Sequence, residues 1–387
     1  MWAGVFVLLA AWVMAAGAHA EPDALPDEVR LLLPEVIHAV PGIEANVYFD
    51  NVVLVLDPTD YAFDVTCAKG IQQTERWTYT PSPEDVGAYA FVLDVRNQAN
   101  QVIAHAESRI EVVDPATGKD QTVSLLLVGD SLTHASVYSQ HLLDLCAEAN
   151  APTLRLVGSH VPNEAAPANR HEGYGGWTAA RFATHYTGIA REGNYKERGS
   201  PFLYLDDTGT PALDFNRYCQ DVNAGAAPDF VTIFLGCNDT FSATDADIEG
   251  RIDAMFTHLD QLIDMIRQAS PATHIGLMPP VPPAASQDAF GANYQCGQTR
   301  WQYKRNQHRV VERMMEAYAN REGISLTPAF VNLDCRHNYP QRASTWNAHN
   351  DAACERQCNG VHPSEEGYRQ IGDALFCWLK ARLAEAR

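Results

Sequence analysis

The sequence predicts an α/β protein, a parallel sheet covered on both faces by helices, preceded by a small all-β sandwich. Three observations predict this. Residues 43–113 carry short, alternating apolar runs separated by turn residues. After residue 122, short apolar runs alternate with longer stretches of helical periodicity. Between the two, Asp114-Pro-Ala-Thr-Gly-Lys-Asp120 has the composition of a linker. The chain then divides into residues 1–20, 21–114, 115–121 and 122–387.

Residues Trp2 to Gly17 are all apolar or small, and Ala18-His19-Ala20 fits the small-x-small cleavage pattern. The run is short for a membrane span. Residues 1–20 are therefore read as a secretory signal cut before Glu21, although no Lys or Arg precedes the apolar run. The expected location is secreted or periplasmic. No later stretch is long and apolar enough to insert into a membrane. The 387 residues carry 28 basic and 48 acidic side chains, a net charge of -20. That excess argues against nucleic acid and anionic membranes as partners.

All nine cysteines follow the signal segment. In an oxidising compartment some are expected to pair, and the odd number leaves at least one free. Cys335, Cys354, Cys358 and Cys377 suggest at least one bridge near the C-terminus. Cys67 and Cys237 are candidates for the free thiol. The cluster Cys335, His337, His349, Cys354, Cys358 and His362 matches no standard zinc spacing, so no metal is assigned.

In the first half, the strand candidates are Val47–Phe49, Val52–Leu56, Tyr61–Val65, Trp77–Tyr79, Tyr89–Val95 and Ile110–Val113. Asp85-Val-Gly87-Ala-Tyr89 resembles the D-x-G-x-Y corner of immunoglobulin-like domains, with Trp77 as a core candidate. The cysteine pair usual between the sheets of such domains is absent. In the second half, strands are expected at Val123–Val128, Leu154–Val157, Phe230–Leu235, His274–Met278 and Ile324–Leu326. Helices are expected at Leu132–Asn150, Ile248–Ile266, Trp301–Asn320 and Glu365–Leu383. Three long segments, 159–229, 279–300 and 333–363, leave strands at the same edge and should meet there.

That edge carries the chemistry. Gly129-Asp130-Ser131-Leu132 follows the apolar run Val123–Val128, so Ser131 stands where a strand hands over to a helix. Ligands bind open α/β sheets at that end. Thr133 replaces the second glycine of a G-x-S-x-G elbow. Gly173-Tyr-Gly-Gly176-Trp177 offers backbone amides for close approach. Leu235-Gly236-Cys237-Asn238-Asp239 puts Asn238 at another strand end, a neutral donor for a developing oxyanion. Asn359-Gly-Val-His362-Pro-Ser364 supplies a candidate general base ahead of the last helix.

Taken together, these four blocks resemble the SGNH or GDSL hydrolase superfamily over roughly residues 122–387. The resemblance implies a three-layer α/β/α, flavodoxin-like fold and acyl transfer without a cofactor. It implies that Ser131 attacks an ester carbonyl, that His362 takes its proton, and that Ser131, Gly176 and Asn238 hold the oxyanion. The glycine block from Arg170 to Trp177 looks most like secreted bacterial members acting on carbohydrate esters. An acylated poly- or oligosaccharide is the expected substrate, with acetyl as the expected acyl group. Trp177 and His171 are the candidate substrate contacts.

One position departs from the family pattern. Asp usually stands three residues before the histidine, and here that residue is Asn359. Asn359 or a backbone carbonyl is one candidate to orient the ring. A carboxylate from Asp334, Asp351, Glu355 or Glu365 is another. A weak or silent enzyme is the third reading. Two rival functions stay open: a lipid esterase or lysophospholipase, which needs an apolar groove, and a carbohydrate-binding protein that has lost catalysis.

Overall fold

The computed structural model describes residues 29–385; the segment read as a secretory signal lies outside them. Seven strands build the first unit: β1 (Val36–Ala39), β2 (Ala45–Tyr48), β3 (Ala62–Cys67), β4 (Ile71–Gln72), β5 (Arg76–Tyr79), β6 (Gly87–Arg96) and β7 (Val102–Val112). They form two sheets, β1-β7-β6-β3 and β2-β5-β4. Trp77 lies between the sheets, edge-on to Phe91, with its indole N–H donated to the Lys69 carbonyl at 3.0 Å. The Tyr89 hydroxyl closes the corner on the Asp85 carbonyl at 2.9 Å, the tyrosine corner of an immunoglobulin-like sandwich.

Two strand readings change. β7 begins at Val102 rather than near Ile110, because its first half is largely solvent-facing and shows no apolar alternation. The run Val52–Leu56 is not one strand: Phe49–Val52 forms a helical turn and only Val53–Leu54 is extended. That turn aims the Asn51 amide at the carbonyls of Phe330 and Leu333, 2.8 and 2.7 Å away. Asn46 N–H donates to the Asn332 side chain, and Asp50 takes both Arg300 and Lys304. Val311, Phe330 and Val331 from the second unit complete the sandwich core. The segment read as a linker is a series of turns, and the buried Lys380 ammonium donates to its carbonyls at Pro115 and Thr117.

The second unit is built on β8 (Thr122–Gly129), β9 (Thr153–Val157), β11 (Phe230–Phe234), β12 (His274–Leu277) and β13 (Ile324–Leu326), with the short β10 (Glu172–Gly173) added at the end of β8. The order is β9-β8-β11-β12-β13, and every pairing is parallel. Strand direction alternates the side chains of β8. Leu125 and Leu127 pack with Tyr138, Leu142, Ile371, Leu375 and Trp378, which lie on α2 (Val137–Cys146) and α9 (Glu365–Glu385). Leu126 and Val128 face the other way, toward Ile252 and Leu259 of α6 (Ile248–Ala269) and Val310 of α8 (Arg300–Tyr318). The result is three layers, α/β/α. Because the connection leaves β8 for β9 on one side and returns to β11 on the other, a crevice opens beyond Gly129 and Phe234.

The helix expected over Leu132–Asn150 is two helices, α1 (Ser131–His134) and α2. The break is Ser136, whose φ of 61° ends the first. Its hydroxyl donates to the His134 carbonyl and its own carbonyl accepts from Asn169. The long segments hold local structure of their own: α3 (Ala179–Thr184), α4 (Phe215–Asn223), α7 (Gln287–Tyr294), and a hairpin of β14 (Gln341–Asn347) and β15 (Asn350–Gln357); outside them, α5 (Cys237–Thr240) follows β11.

The expected disulfides do not form: all nine cysteines are free. Five of them are buried. Cys146 and Cys377 sit in the core, and Cys237 and Cys335 act as hydrogen-bond donors, to Asp130 and Asn51.

Candidate active site

The strand-to-helix handover at Ser131 depends on close packing that only glycine permits. A Cβ on Gly129 would lie 2.0 Å from the Thr133 hydroxyl. A Cβ on Gly173 would meet the Thr133 side chain and the His134 amide below 3 Å. The Asp130 carboxylate caps the turn by accepting from Leu132 N–H at 2.9 Å. Ser131 is thereby left half-buried at the first position of α1, and its own N–H has no partner among the described residues.

From the far end of the chain, His362 reaches the same point. Its Nε2 lies 2.8 Å from Ser131 Oγ, within proton-transfer range. Its loop is anchored from behind. The neighbouring Val361 is buried with Cys237, Phe290 and Tyr303. The Gly360 carbonyl accepts from Ala284 N–H, and its N–H donates to Asn293. All three long segments therefore converge, as their placement at one edge requires.

Asn359 does not orient the imidazole directly. Its Oδ1 accepts from the backbone N–H groups of Val361 and His362 at 3.1 and 3.0 Å. This Asx turn spans only three residues, so the amide faces the backbone and not the ring. Among the described residues no hydrogen-bond partner falls on His362 Nδ1. The carboxylates considered for that place are elsewhere: Asp334 accepts from Tyr48 and His337, and Glu365 pairs with Arg369. Asp351 and Glu355 make no bond to the ring. With no anion against it, the half-buried imidazole is governed by desolvation, which pulls its pKa below the ordinary 6.5.

Gly176 stands at φ 78° with open space around it, and its N–H has no partner among the described residues. Asn238 enters on α5. Its Nδ2 donates to Asp130 Oδ2 and to the Trp177 carbonyl, each at 3.1 Å. Asp130 thus links the serine turn, the thiol of Cys237 at 2.8 Å and Asn238. Burial pushes Asp130 up to about 6, against the lowering effect of these donors. Burial, with Asp130 as a nearby like charge, pushes Asp239 to about 7; its Oδ1 accepts from Ala179 N–H and its Oδ2 is buried without a partner among the described residues.

Two expected substrate contacts are corrected. His171 has no exposed surface: its Nε2 meets Ser136 Oγ at 2.9 Å and its Nδ1 accepts from Gly173 N–H. Trp177 is 1% exposed, packed on Tyr174 and Phe182 with the Arg181 guanidinium over its ring. Both brace the glycine block, and neither offers a face to a ligand. The sequence reading missed a ring cluster one helical turn from Ser131, where His134, His160 and Tyr195 pack mutually, with centroids 5.1, 4.7 and 5.5 Å apart. The only available signal was His134 three residues after Ser131, one helical turn on. No group of three or more His, Cys, Asp or Glu side chains among the described residues is arranged to hold a metal ion.

The fold is an α/β protein with a parallel sheet, and its switch point brings Ser131 and His362 together. The model of the GDSL-like lipase/acylhydrolase family matches residues 127–370, and the chain belongs to that family. It is an acylhydrolase. Among solved structures it is similar to a Clostridium thermocellum family 3 carbohydrate esterase, at 20% identity and a TM-score of 0.40 over 69% of this chain and 99% of that one. A family 3 carbohydrate esterase from Talaromyces cellulolyticus gives 16% identity and 0.38, over 68% and 99%. A carbohydrate acetylesterase family member from Sinorhizobium meliloti gives 14% and 0.38, over 68% and 99%. No curated protein matches the chain.

Proposed function

We propose that this protein is an exported esterase that removes short acyl groups, acetyl foremost, from a carbohydrate through a Ser131–His362 dyad. The observation that carries the reading is the 2.8 Å contact between Ser131 Oγ and His362 Nε2; the backbone amides of Ser131 and Gly176 are without partners among the described residues. His362 Nε2 takes the hydroxyl proton as Oγ bonds to the ester carbonyl carbon, and returns it to the leaving sugar oxygen. Water then repeats the sequence on the acyl-serine and releases the acid. The N–H groups of Ser131 and Gly176 receive the oxyanion. Asn238 becomes the third donor when its Nδ2 exchanges the Trp177 carbonyl for the oxyanion.

A short acyl group suits the surroundings. The apolar residues behind His362, namely Cys237, Phe290, Tyr303 and Val361, are sunk in a closed cluster. They do not open into the groove a long acyl chain needs, which weighs against a lipid esterase. The intact serine–histidine contact weighs against a silent binding protein.

The test is turnover of p-nitrophenyl acetate by wild type and Ser131→Ala, with a fluorophosphonate probe on both. The expected result is labelling of wild type at Ser131 and a loss of at least about 10³-fold in the variant. Equal turnover by the two proteins overturns the reading. A chain-length series that favours long acyl esters overturns the short-acyl part.

A further inference from the structure

We infer that the cleft between α7 and the β14–β15 hairpin is a second carbohydrate site, which holds the glycan chain beyond the residue being deacylated. The inference rests on the esterase reading for its context, but its own evidence lies elsewhere on the surface.

The hairpin stands out from the body of the protein, and almost every residue of its two strands before Gln357 is exposed or half-buried. Trp346, near its tip, is 57% exposed. Trp77, Trp177 and Trp378 are each buried to 1% exposure, so Trp346 is not part of a core that frayed. Its position has structure behind it: the Arg356 guanidinium sits 5.7 Å from the centre of its ring and reaches its carbonyl. Arg356 is itself held by Asp288 of α7 at 3.0 Å. One face of the indole is thus backed by a cation, and the ring stays open to solvent.

Arg356 also lines the cleft, which has a volume of about 500 Å³. Arg342 is directly opposite Arg356 in the hairpin register, and Ser344 is two residues further along the same strand. Period-two alternation puts these side chains on one face. The opposite wall is α7 and the residue just past it, lined by Gln287, Asp288, Gly291, Ala292 and Gln295, with Gln287 Oε1 accepting from Arg300 N–H. The Arg342 guanidinium and the Gln295 amide, which make no hydrogen bond among the described residues, match the hydroxyl-rich edge of a pyranose. An exposed indole at the rim matches its apolar face. The cleft is tied to the catalytic loop by Gln357. This residue lines it and donates to the carbonyls of Cys335 and Arg336, two residues before Asn359.

The test compares Trp346→Ala and Arg342→Ala with wild type on two kinds of substrate. p-Nitrophenyl acetate reads the dyad alone. Acetate release from acetylated xylan, acetylated glucomannan and acetylated homogalacturonan reads the dyad plus the cleft. The expected result is unchanged p-nitrophenyl acetate turnover, with KM rising about five- to tenfold on the best polysaccharide and kcat little altered. Affinity electrophoresis through gels containing the same polysaccharides, using Ser131→Ala as background, reads binding without catalysis. It should show retention that Trp346→Ala abolishes, even if the esterase reading fails. Polysaccharide kinetics and retention unaffected by either substitution overturn the proposal. So does a change in sedimentation with Trp346→Ala, which makes the hairpin a subunit contact.

Discussion

At the scale of single residues, the site is set by what each buried polar group is bonded to. Asn238 is held by a buried carboxylate and a carbonyl at the strand end where the proposed mechanism develops negative charge, and it must give up the Trp177 carbonyl to meet that charge. Asn238→Ala should lower kcat by about 10²–10³-fold, the usual cost of one oxyanion donor, with a small change in KM. A fall of less than threefold would remove Asn238 from the oxyanion hole. His362 lacks a carboxylate partner, and burial lowers its pKa. A base with a lowered pKa is already neutral at more acidic pH. The acidic limb of kcat/KM against pH should therefore have its midpoint below 6.5, and a midpoint above 7 would contradict this account. Asp239 gives a stability prediction of definite sign. Its folded pKa, about 7, lies above the ordinary 3.8, so the folded state holds the proton more tightly. Stability from this group is greatest at low pH and is lost as pH rises from about 4 through 7. Asp239→Asn keeps the acceptor for Ala179 N–H and removes the titration. Its Tm relative to wild type should be higher at pH 8 than at pH 5, and a difference independent of pH would count against it.

At the scale of elements, the loop carrying His362 is positioned by a fit between segments that are remote in sequence. Gly360 passes so close to α7 that a Cβ would lie 2.8 Å from the Phe290 ring. Gly360→Ala should displace the loop carrying His362 while leaving the sheet intact. Turnover of p-nitrophenyl acetate should fall at least about tenfold with an unchanged circular dichroism spectrum, since misplacement of a catalytic group by an ångström is costly. Full activity in this variant would mean that the loop has slack the packing does not suggest. The division of the first helix at Ser136 belongs to the same scale. Apolar spacing alone continued the helix, but Asn169 and His171 each bond to Ser136 at the break, and those contacts are tertiary.

At the scale of the molecule, the sandwich and the hydrolase unit are packed into one another. Asn51 satisfies two buried carbonyls of the segment that leads to the hairpin, and Val311, Phe330 and Val331 lie in the sandwich core. Calorimetry of the wild type should therefore show one unfolding transition. Asn51→Ala removes the hydrogen bonds to the Phe330 and Leu333 carbonyls, leaves Leu333 only a weak thiol donor, and should destabilise the protein by about 2 kcal/mol. Two well-separated transitions in the wild type would show that the units fold independently.

The parts legible in the sequence were those carried by local pattern. The runs Val123–Val128 and Phe230–Leu235 are apolar because strands covered on both faces have no polar side, and this alone placed Ser131 and Asn238 at strand ends. The corner at Asp85–Tyr89 and the long segments at one edge were readable for the same reason. Burial of individual loop side chains was not legible. The sequence favoured Trp177, beside the glycine block, as a substrate contact; it is enclosed by Tyr174, Phe182 and Arg181, whereas Trp346 in the hairpin is 57% exposed. The spacing of Asn359 from His362 suggested a side-chain partner for the ring, but in three dimensions its oxygen is used by the backbone. Pattern along the chain determined the order of strands and helices and the four blocks that bear the chemistry. Only the tertiary structure decided which side chains meet, because hydrogen bonding and burial depend on neighbours hundreds of residues away, as the 231-residue separation of Ser131 and His362 shows.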